Sequence, residues 1–279
     1  MLLRVAAMIA LALATAPAAA QSTNAEGQAV LPSESAADSP ICTDRPTRSN
    51  FACTVPKGLF QIESDVASWT RIDVGGVRGD AIVPVNPVIK YGVGTATDVE
   101  VNWAPYVRLR GRAFGTATVL DGVGDVTLRL KQRFTDPSKP VQFSLIPYVK
   151  APTARLGIGN GEWEGGVIAP VNISIAKSFT LTIVPQGDVA ADVLNPSARH
   201  GRFVGLINLG YQMTPKVTFY TELWTSQDFD PSGTIRQYSF DFAVTRLVNN
   251  NTQLDFGGNF GLNSNTPDAQ LYLGISTRF

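Results

Sequence analysis

The chain has 279 residues, with 23 basic and 23 acidic side chains and a formal net charge of zero. Charged residues make up 16%, against about 25% in a typical soluble domain, so a nucleic-acid binder that relies on a net positive field is excluded. The 25 glycines and 18 prolines argue against a helical bundle. A mean hydropathy of +0.05 argues against a helical membrane protein, but a membrane β-barrel averages a polar lumen with an apolar outer wall.

The first twenty residues, MLLRVAAMIALALATAPAAA, are typical of a cleaved secretory signal peptide. Arg4 precedes an apolar stretch, and three alanines precede Gln21 as the cleavage rule requires. A membrane anchor is the poorer interpretation because Pro17 interrupts the segment and no basic stop-transfer cluster follows. No later stretch approaches the ~20 apolar residues of a membrane helix, so the exported chain is either soluble or a barrel. Residues 21–41 have the composition of a disordered leader.

The two cysteines, Cys42 and Cys53, enclose a short loop. An oxidising compartment would allow them to pair, and a disulfide across so short a loop would stabilise the fold by about 3 kcal/mol. Two free thiols are the alternative, whereas metal binding is disfavoured because no other soft ligand lies nearby. We predict a structural disulfide.

Short segments that alternate polar and apolar residues follow one another from Gly58 to the C-terminus. The clearest are residues 98–110, 125–134, 237–246 and 268–279, and noisier ones lie near 59–69, 80–91, 141–151, 163–176, 179–190, 203–213, 216–226 and 251–261. We therefore predict an all-β fold: a transmembrane antiparallel up-and-down β-barrel of about 12 strands over residues 42–279. Its N-terminal part, residues 42–57, is predicted to be a periplasmic segment.

A soluble β-sandwich is the alternative fold, since it also alternates along each strand. Charges of both signs recur in the middle of the predicted inner face, as with Glu63 and Arg129, and this favours a polar lumen over a sandwich core. The even number of strands and the terminal Phe279 also favour the barrel. Phe279 resembles the terminal signature that the barrel-assembly machinery of bacteria reads, so we predict that it is an assembly signal.

Prolines complicate this pattern because each removes a hydrogen-bond donor from the strand ladder, and a closed barrel has no free edge to accept them. Bulges are the usual remedy. Local irregularities are therefore predicted at the prolines inside the strands: Pro84, Pro87, Pro105, Pro147, Pro170 and Pro185.

Several motifs resemble the transporter family named for the MetA pathway of phenol degradation. They are TDRPT at 43–47, TVPKGLFQIE at 54–63, GVGDVTLRLK at 122–131, LDFGGNFGLN at 254–263, TPD at 266–268 and GISTRF at 274–279. The resemblance covers residues 43–279 and implies an outer-membrane barrel that passes small, often aromatic or hydrophobic compounds. The chain departs from the family pattern in its Cys42 and Cys53 pair, which leaves the implied function untouched.

Catalytic chemistry finds little support. Outer-membrane phospholipases are barrels that use Ser and His on the outer wall, but Ser197 and the single His200 are predicted to lie on a loop. The glycine-rich residues 157–161 lack the following Lys-Ser/Thr of a phosphate loop and are interpreted as a hairpin loop. Zinc ligands are missing, and no EF-hand spacing is present. We predict no catalytic, cofactor-binding or metal site.

Charged side chains on the predicted inward phase are the candidate lumen-lining residues. They are Glu63, Asp65, Glu100, Arg108, Asp125, Arg129, Lys131, Arg133, Glu222, Asp241, Asp255 and Arg278. They can fill a narrow barrel with salt bridges, or they can form a charged constriction that selects solutes. Asp44 and Arg45 are hypothesised to fold into the lumen as a partial plug.

The sequence thus predicts a bacterial outer-membrane channel or transporter for passive uptake of small solutes, among them hydrophobic or aromatic compounds. A barrel enzyme that hydrolyses lipids and a non-conducting structural barrel are the alternatives. The expected partners are outer-membrane lipid, the barrel-assembly machinery and a small-molecule solute, with no nucleic acid and no cofactor. The protein is expected to be a monomer.

Overall fold

The computed structural model of the protein describes residues 39–113 and 115–279. Within these ranges the secondary structure consists of β-strands, turns and bends without a helix. No helix long and apolar enough to cross a membrane is found among the described residues. The predicted signal peptide and residues 21–38 of the predicted leader lie outside them.

The strands form one antiparallel sheet that closes on itself through pairing of the first strand with the last. In chain order they are β1 (Phe60–Val74), β2 (Val77–Val83), β3 (Asn86–Gly92), β4 (Thr97–Asn102), β5 (Val107–Ala113), β6 (Thr116–Gly122), β7 (Val126–Arg133), β8 (Val141–Ala151), β9 (Glu164–Ile168), β10 (Val171–Ala176), β11 (Phe179–Ala191), β12 (Arg199–Thr214), β13 (Val217–Asp228), β14 (Ile235–Asn249), β15 (Thr252–Gly261) and β16 (Ala269–Arg278).

These strands make twelve passes through the wall because four passes are each interrupted once. The interrupted passes are β2 with β3, β4 with β5, β6 with β7, and β9 with β10. The prediction of an all-β, closed, antiparallel barrel of 12 strands is therefore confirmed.

Prolines account for three of the four interruptions, since Pro84, Pro105 and Pro170 stand in the gaps between strand segments. The other three prolines remain inside continuous strands. Opposite Pro147, the pairing of β7 with β8 is missing at Leu130 and its neighbour. A proline thus either breaks its own strand or interrupts the ladder beside it, because it has no N–H to donate.

The interruptions also change which side chains point inward. In β1 an extra residue between Asp65 and Ala67 forms a bulge. Odd-numbered residues such as Asp65 point inward before the bulge, and odd-numbered residues such as Trp69 point outward after it. Trp69 pairs with Leu271, a residue of the outer face that is 38% exposed, whereas its neighbour Ser68 pairs with the buried Tyr272. A shift of one residue exchanges the two faces of a strand.

The outer face carries exposed apolar side chains along the whole wall, as a lipid-facing surface requires. Aromatic side chains contact one another in pairs at the end of the barrel where β1 begins and β16 ends. These pairs are Phe60 with Tyr91, Phe134 with Phe143, and Phe179 with Tyr211. Phe279 closes the seam there through two backbone hydrogen bonds with Phe60, of 2.8 and 3.2 Å.

The connections differ between the two ends of the barrel. The tight turns at 177–178, 215–216 and 250–251 lie at the same end of the barrel as Phe60, where β1 begins, and Phe279, which follows β16. The longest connection, residues 152–163, lies at the opposite end. Outer-membrane barrels keep short turns on the periplasmic side and longer loops outside, which orients this wall.

Candidate functional site: the lumen and its N-terminal segment

Residues 40–59, which we call the plug segment, contain no named strand and lie inside the barrel. Ile41, Ala52 and Val55 of this segment are buried. Its backbone N–H groups are used by the wall: Ala52 donates to Asn172 (2.6 Å) and Val55 to Asp98 (2.8 Å). The segment assigned to the periplasm by sequence, residues 42–57, thus lies in the lumen, because the inner wall supplies the partners that its polar groups need.

A disulfide joins Cys42 and Cys53 and closes the central loop of the plug segment. Thr43 and Thr47 of this loop accept hydrogen bonds from the wall, and four further side chains make its charged contacts: Asp44, Arg45, Arg48 and Ser49. The cross-link fixes the two ends of the loop, so these four groups face the wall as one unit.

Asp44 forms the first contact. Its carboxylate accepts from the ammonium groups of Lys90 (2.5 Å) and Lys131 (2.6 Å) and from the backbone N–H of Phe51 (2.7 Å). Burial raises the pKa of the Asp44 carboxyl, but the two ammonium groups outweigh it and hold this pKa well below its ordinary value. Asp44 is therefore ionised throughout the neutral range.

Glu63 and Glu100 complete the network around the two lysines. Lys90 lies 2.6 Å from Glu63, and Lys131 lies 3.4 Å from Glu100. Glu63 also accepts the backbone N–H groups of Asp44 (2.9 Å) and Arg45 (3.1 Å). Both lysines and both glutamates are at most 2% exposed, so Asp44 supplies a counter-charge that water cannot replace.

Arg45 forms the second contact. Its guanidinium donates to Asp255 through Nε (3.0 Å) and Nη2 (2.7 Å), and to Asp65 through Nη1 (2.7 Å). The same group lies 5.7 Å from the ring centre of Tyr272. Gly274 leaves the room for it, since a Cβ added there would overlap the guanidinium. Arg45 therefore neutralises two acidic residues on two different strands.

Arg48 and Ser49 form the third contact. Glu222 and Asp241 pair directly across β13 and β14, and both are buried. Arg48 lies 3.3 Å from Asp241 and stacks over Trp224 at 4.2 Å. Its backbone N–H (3.2 Å) and the Ser49 hydroxyl both donate to Glu222. The plug segment thus compensates an acidic pair that the wall itself leaves without a cation.

A cavity of about 350 Å³ remains beside the plug segment at the periplasmic end of the lumen. The disulfide, Phe51 and Tyr220 line one side, and the rings of Phe51 and Tyr220 meet edge to face at 6.1 Å. The other lining groups are mainly uncharged and polar, such as Gln142, Asn172 and Gln212. Next to the charged centre of the lumen, the chain thus provides a nearly neutral space.

Eleven of the twelve predicted lumen residues divide into three groups. Six contact the plug segment directly: Glu63, Asp65, Lys131, Glu222, Asp241 and Asp255. Glu100 and Arg129 lie behind them, 3.8 Å apart. Asp125, Arg133 and Arg278 contact residues nearer the two rims, namely Lys150, Thr135 and Asn251.

Arg108, the twelfth predicted residue, does not lie in the lumen. It pairs with Asp121 at 2.6 Å on the outer face of the wall, because the break at Pro105 changes the alternation between β4 and β5.

Lys90 is the main lumen residue that the sequence analysis missed. Pro84 and Pro87 blur the alternation of its segment, so periodicity gave no clear inward phase there.

His200 lies on β12 at the outer rim, among three acidic residues, so the prediction that places it on a loop is wrong, whereas Ser197 does lie in a turn. Its Nδ1 lies 2.8 Å from Asp192 and 3.5 Å from Asp230, and its Nε2 lies 2.5 Å from Asp228. Within the described residues no hydroxyl group contacts this ring. Ser197 and His200 thus lack the nucleophile–base contact of a serine hydrolase.

The disulfide is expected to hold the plug segment against proteolysis. Reduction of Cys42 and Cys53 frees a loop whose closure is worth about 3 kcal/mol in the chain-entropy model, so trypsin should cleave after Arg48 at least about tenfold faster. Mass spectrometry of timed digests measures this rate. The Cys42→Ser/Cys53→Ser variant should be cleaved fast with or without reductant. A wild-type rate that reductant leaves unchanged would contradict the expectation.

The comparisons with known proteins agree with this geometry. No curated protein matches the sequence. Among solved structures, an outer membrane channel from Pseudomonas putida F1 is 14% identical, with a TM-score of 0.62 over 84% of this chain and 100% of that one. The NanC porin is 9% identical, with a TM-score of 0.49 over 78% of this chain and 98% of that one. The first of these likenesses shows the fold, which is that of a bacterial outer-membrane barrel.

The sequence profile of one family matches residues 43–279, which is most of the chain and the range over which the motifs showed their resemblance. The chain therefore belongs to the family described as "Putative MetA-pathway of phenol degradation".

Proposed function

We propose that the protein is an outer-membrane channel for passive uptake of small solutes, and that the plug segment closes its lumen. The observation that carries this proposal is the way in which the lumen is filled. The wall alone leaves Asp65, Asp255, Glu222 and Asp241 with little positive charge, and Arg45 and Arg48 of a separate segment neutralise them. A segment held by ionic contacts can leave, whereas a core of interlocked wall side chains cannot.

The volume and lining of the cavity beside the plug segment favour small solutes with few charges as the compounds that the channel passes. Its volume of about 350 Å³ exceeds the roughly 150 Å³ that is enough to hold benzene in a protein interior. Phe51 and Tyr220 supply aromatic contacts, and amide side chains supply hydrogen bonds. Together with the description of the family, this favours single-ring aromatic compounds such as phenols as solutes.

Conductance of the purified protein in a planar lipid bilayer tests the channel. We expect current steps above the lipid background, and swelling of liposomes in an iso-osmotic solution of a small neutral solute. Release of lysophospholipid without conductance would instead favour a lipid hydrolase. Silence in both assays, for the wild type and for a variant with a weakened plug, would leave a structural barrel.

The contacts of His200 argue against the hydrolase, since both ring nitrogens face carboxylates. We propose that the barrel is not an enzyme, works as a monomer and inserts with the help of the barrel-assembly machinery. The role of Phe279 as an assembly signal stays a prediction. Its backbone pairing with Phe60 at the seam is consistent with a part in closing the wall.

A further inference from the structure

Five arginines lie together on the outer face of the wall, at the end of the barrel opposite the periplasmic end. They are Arg71 on β1, Arg78 on β2, and Arg108, Arg110 and Arg112 on β5, and we call them the arginine patch. Strand pairing places them on one face: Arg71 is opposite Asp80, Arg78 is opposite Arg112, and Asp80 is opposite Arg110. All five line one groove of about 490 Å³.

The face is the outer one because the bulge in β1 has already turned Trp69 and Arg71 away from the lumen. Ser68 and Thr70, which alternate with them along β1, point inward, and there the Ser68 hydroxyl accepts from Gln270 at 3.1 Å. The register of β2 and β5 extends this outer face from Arg71 across the sheet. The arginine patch is therefore directed to the surroundings of the barrel, not to its lumen.

Acidic neighbours neutralise only part of the patch. Arg71 pairs with Asp80 at 2.9 Å, Arg78 with Asp73 at 2.6 Å, and Arg108 with Asp121 at 2.6 Å. Arg110 and Arg112 are exposed and have no counter-ion among the described residues. Arg112 also stands directly opposite Arg78, and like charges in that position repel unless an anion lies between them.

The height of the patch is that of lipid headgroups. From Phe60 in the periplasmic aromatic girdle to Trp69, β1 rises by about 23 Å along the axis, at about 3.3 Å per residue and a tilt of about 40°. The apolar band of such barrels is about 25 Å tall, so Trp69 marks its upper edge. Arg71 stacks over Trp69 at 4.9 Å and Arg108 over Tyr106 at 6.0 Å, which sets the guanidinium groups just above this aromatic level.

We propose that the arginine patch binds the phosphate groups of lipopolysaccharide in the outer leaflet, with Arg110 and Arg112 as the principal ligands and Arg78 as their neighbour. Guanidinium groups recognise phosphate through paired, charge-assisted hydrogen bonds, and a phosphate between Arg78 and Arg112 would relieve their repulsion. Acyl chains below the headgroup would then lie on the apolar wall, where Ile89 and Leu273 are exposed on the outer face between Phe60 and Trp69. The inference rests on the outer-membrane location proposed above, and it is independent of conduction.

Binding of lipid A to the detergent-solubilised full chain tests the proposal. The probes are bisphosphorylated lipid A, its dephosphorylated form and inorganic phosphate, and native mass spectrometry counts the bound lipid. We expect wild type to bind the bisphosphorylated form, and the Arg110→Gln/Arg112→Gln variant to bind it about tenfold more weakly. The affinity should also fall as the salt concentration rises.

A matched control removes the same charge elsewhere on the outer face. Arg236 and Arg246 on β14 are exposed, on the same face as Phe240, and lie near the two ends of the barrel. The Arg236→Gln/Arg246→Gln variant should bind lipid A as wild type does. Heat-modifiable gel migration shows whether each variant is folded, so a failure to fold cannot imitate a loss of binding.

Three results would overturn the proposal. Equal binding of lipid A by the Arg110→Gln/Arg112→Gln variant and wild type would remove the role of the patch. Equal binding of phosphorylated and dephosphorylated lipid A would remove the phosphate. Full displacement of lipid A by an equimolar amount of inorganic phosphate would assign the patch to free phosphate.

Discussion

Replacing Asp44 with alanine is expected to open the channel. The change leaves the buried ammonium groups of Lys90 and Lys131 without the carboxylate that they share, and Phe51 loses the acceptor of its backbone N–H. Removing one partner of a buried ionic cluster costs about 3 kcal/mol or more, so the equilibrium between the seated and released plug should shift about a hundredfold towards release. The open probability of single channels in planar bilayers measures this shift.

Two further variants separate charge from other effects. Asp44→Asn keeps the shape and the acceptor for Phe51 but loses the charge, so its open probability should lie between those of wild type and Asp44→Ala. Asp136→Ala removes an acidic residue from the exposed turn at 134–140, where the carboxylate accepts only from Ser138 among the described residues. It should behave as wild type does. An Asp44→Ala channel with the wild-type open probability would show that the Asp44 cluster does not hold the plug.

A methyl group on the wall should release the plug without changing any charge. In Gly274→Ala, the added Cβ overlaps the guanidinium of Arg45, and this flexible side chain gives way more easily than the strand backbone. Arg45 then loses its contacts with Asp65 and Asp255, and both acids stay behind without their cation. We expect an open probability about tenfold above wild type, since the displaced guanidinium keeps part of its attraction to the acids.

Single-channel recording of four proteins checks this expectation: wild type, Gly274→Ala, Arg45→Ala and the double variant. If the methyl group acts through Arg45, the two changes together should add little to Arg45→Ala alone. Gly187→Ala on β11 is the matched control, because a Cβ there meets nothing within 4 Å. Additive effects of Gly274→Ala and Arg45→Ala would mean that the methyl group disturbs the wall by another route.

Much of the wall could be predicted from local sequence, for a physical reason. Lipid outside and polar groups inside impose alternation on each strand. The strands β13 and β16 carry this alternation without a break, and β14 does so up to Leu247. The short spacing of Cys42 and Cys53 likewise pointed to the disulfide that closes the plug loop.

The inner and outer faces near the interruptions could not be assigned in this way. The bulge between Asp65 and Ala67 and the gap at Pro105 each change the alternation, so Arg108 shares the parity of Glu100 in the sequence but not its face in the barrel. Such a change depends on the pairing of neighbouring strands, which periodicity within one strand does not contain. The proline at 105 indicated that an irregularity would occur but not which face would follow it.

The wall residues that hold the plug segment also could not be predicted from the local sequence. Arg45 meets Asp255, 210 positions further along the chain, and Ser49 meets Glu222, 173 positions further along. The hypothesis that Asp44 and Arg45 enter the lumen rested on their place before the first strand, and nothing in their neighbourhood identified their partners. Only the closed ladder brings those partners together.

The seat of Arg45 also bears on the order in which the protein is made. Asp65 lies on the first strand and Asp255 on β15, and Arg45 bridges them across the strand that closes the wall. The two carboxylates come together only when β15 and β16 have joined β1. The N-terminal segment leaves the ribosome first, yet it can take its final place only after the C-terminal strands are paired. The plug segment therefore docks only in a fully paired barrel, and the lumen of an incompletely paired barrel stays unplugged.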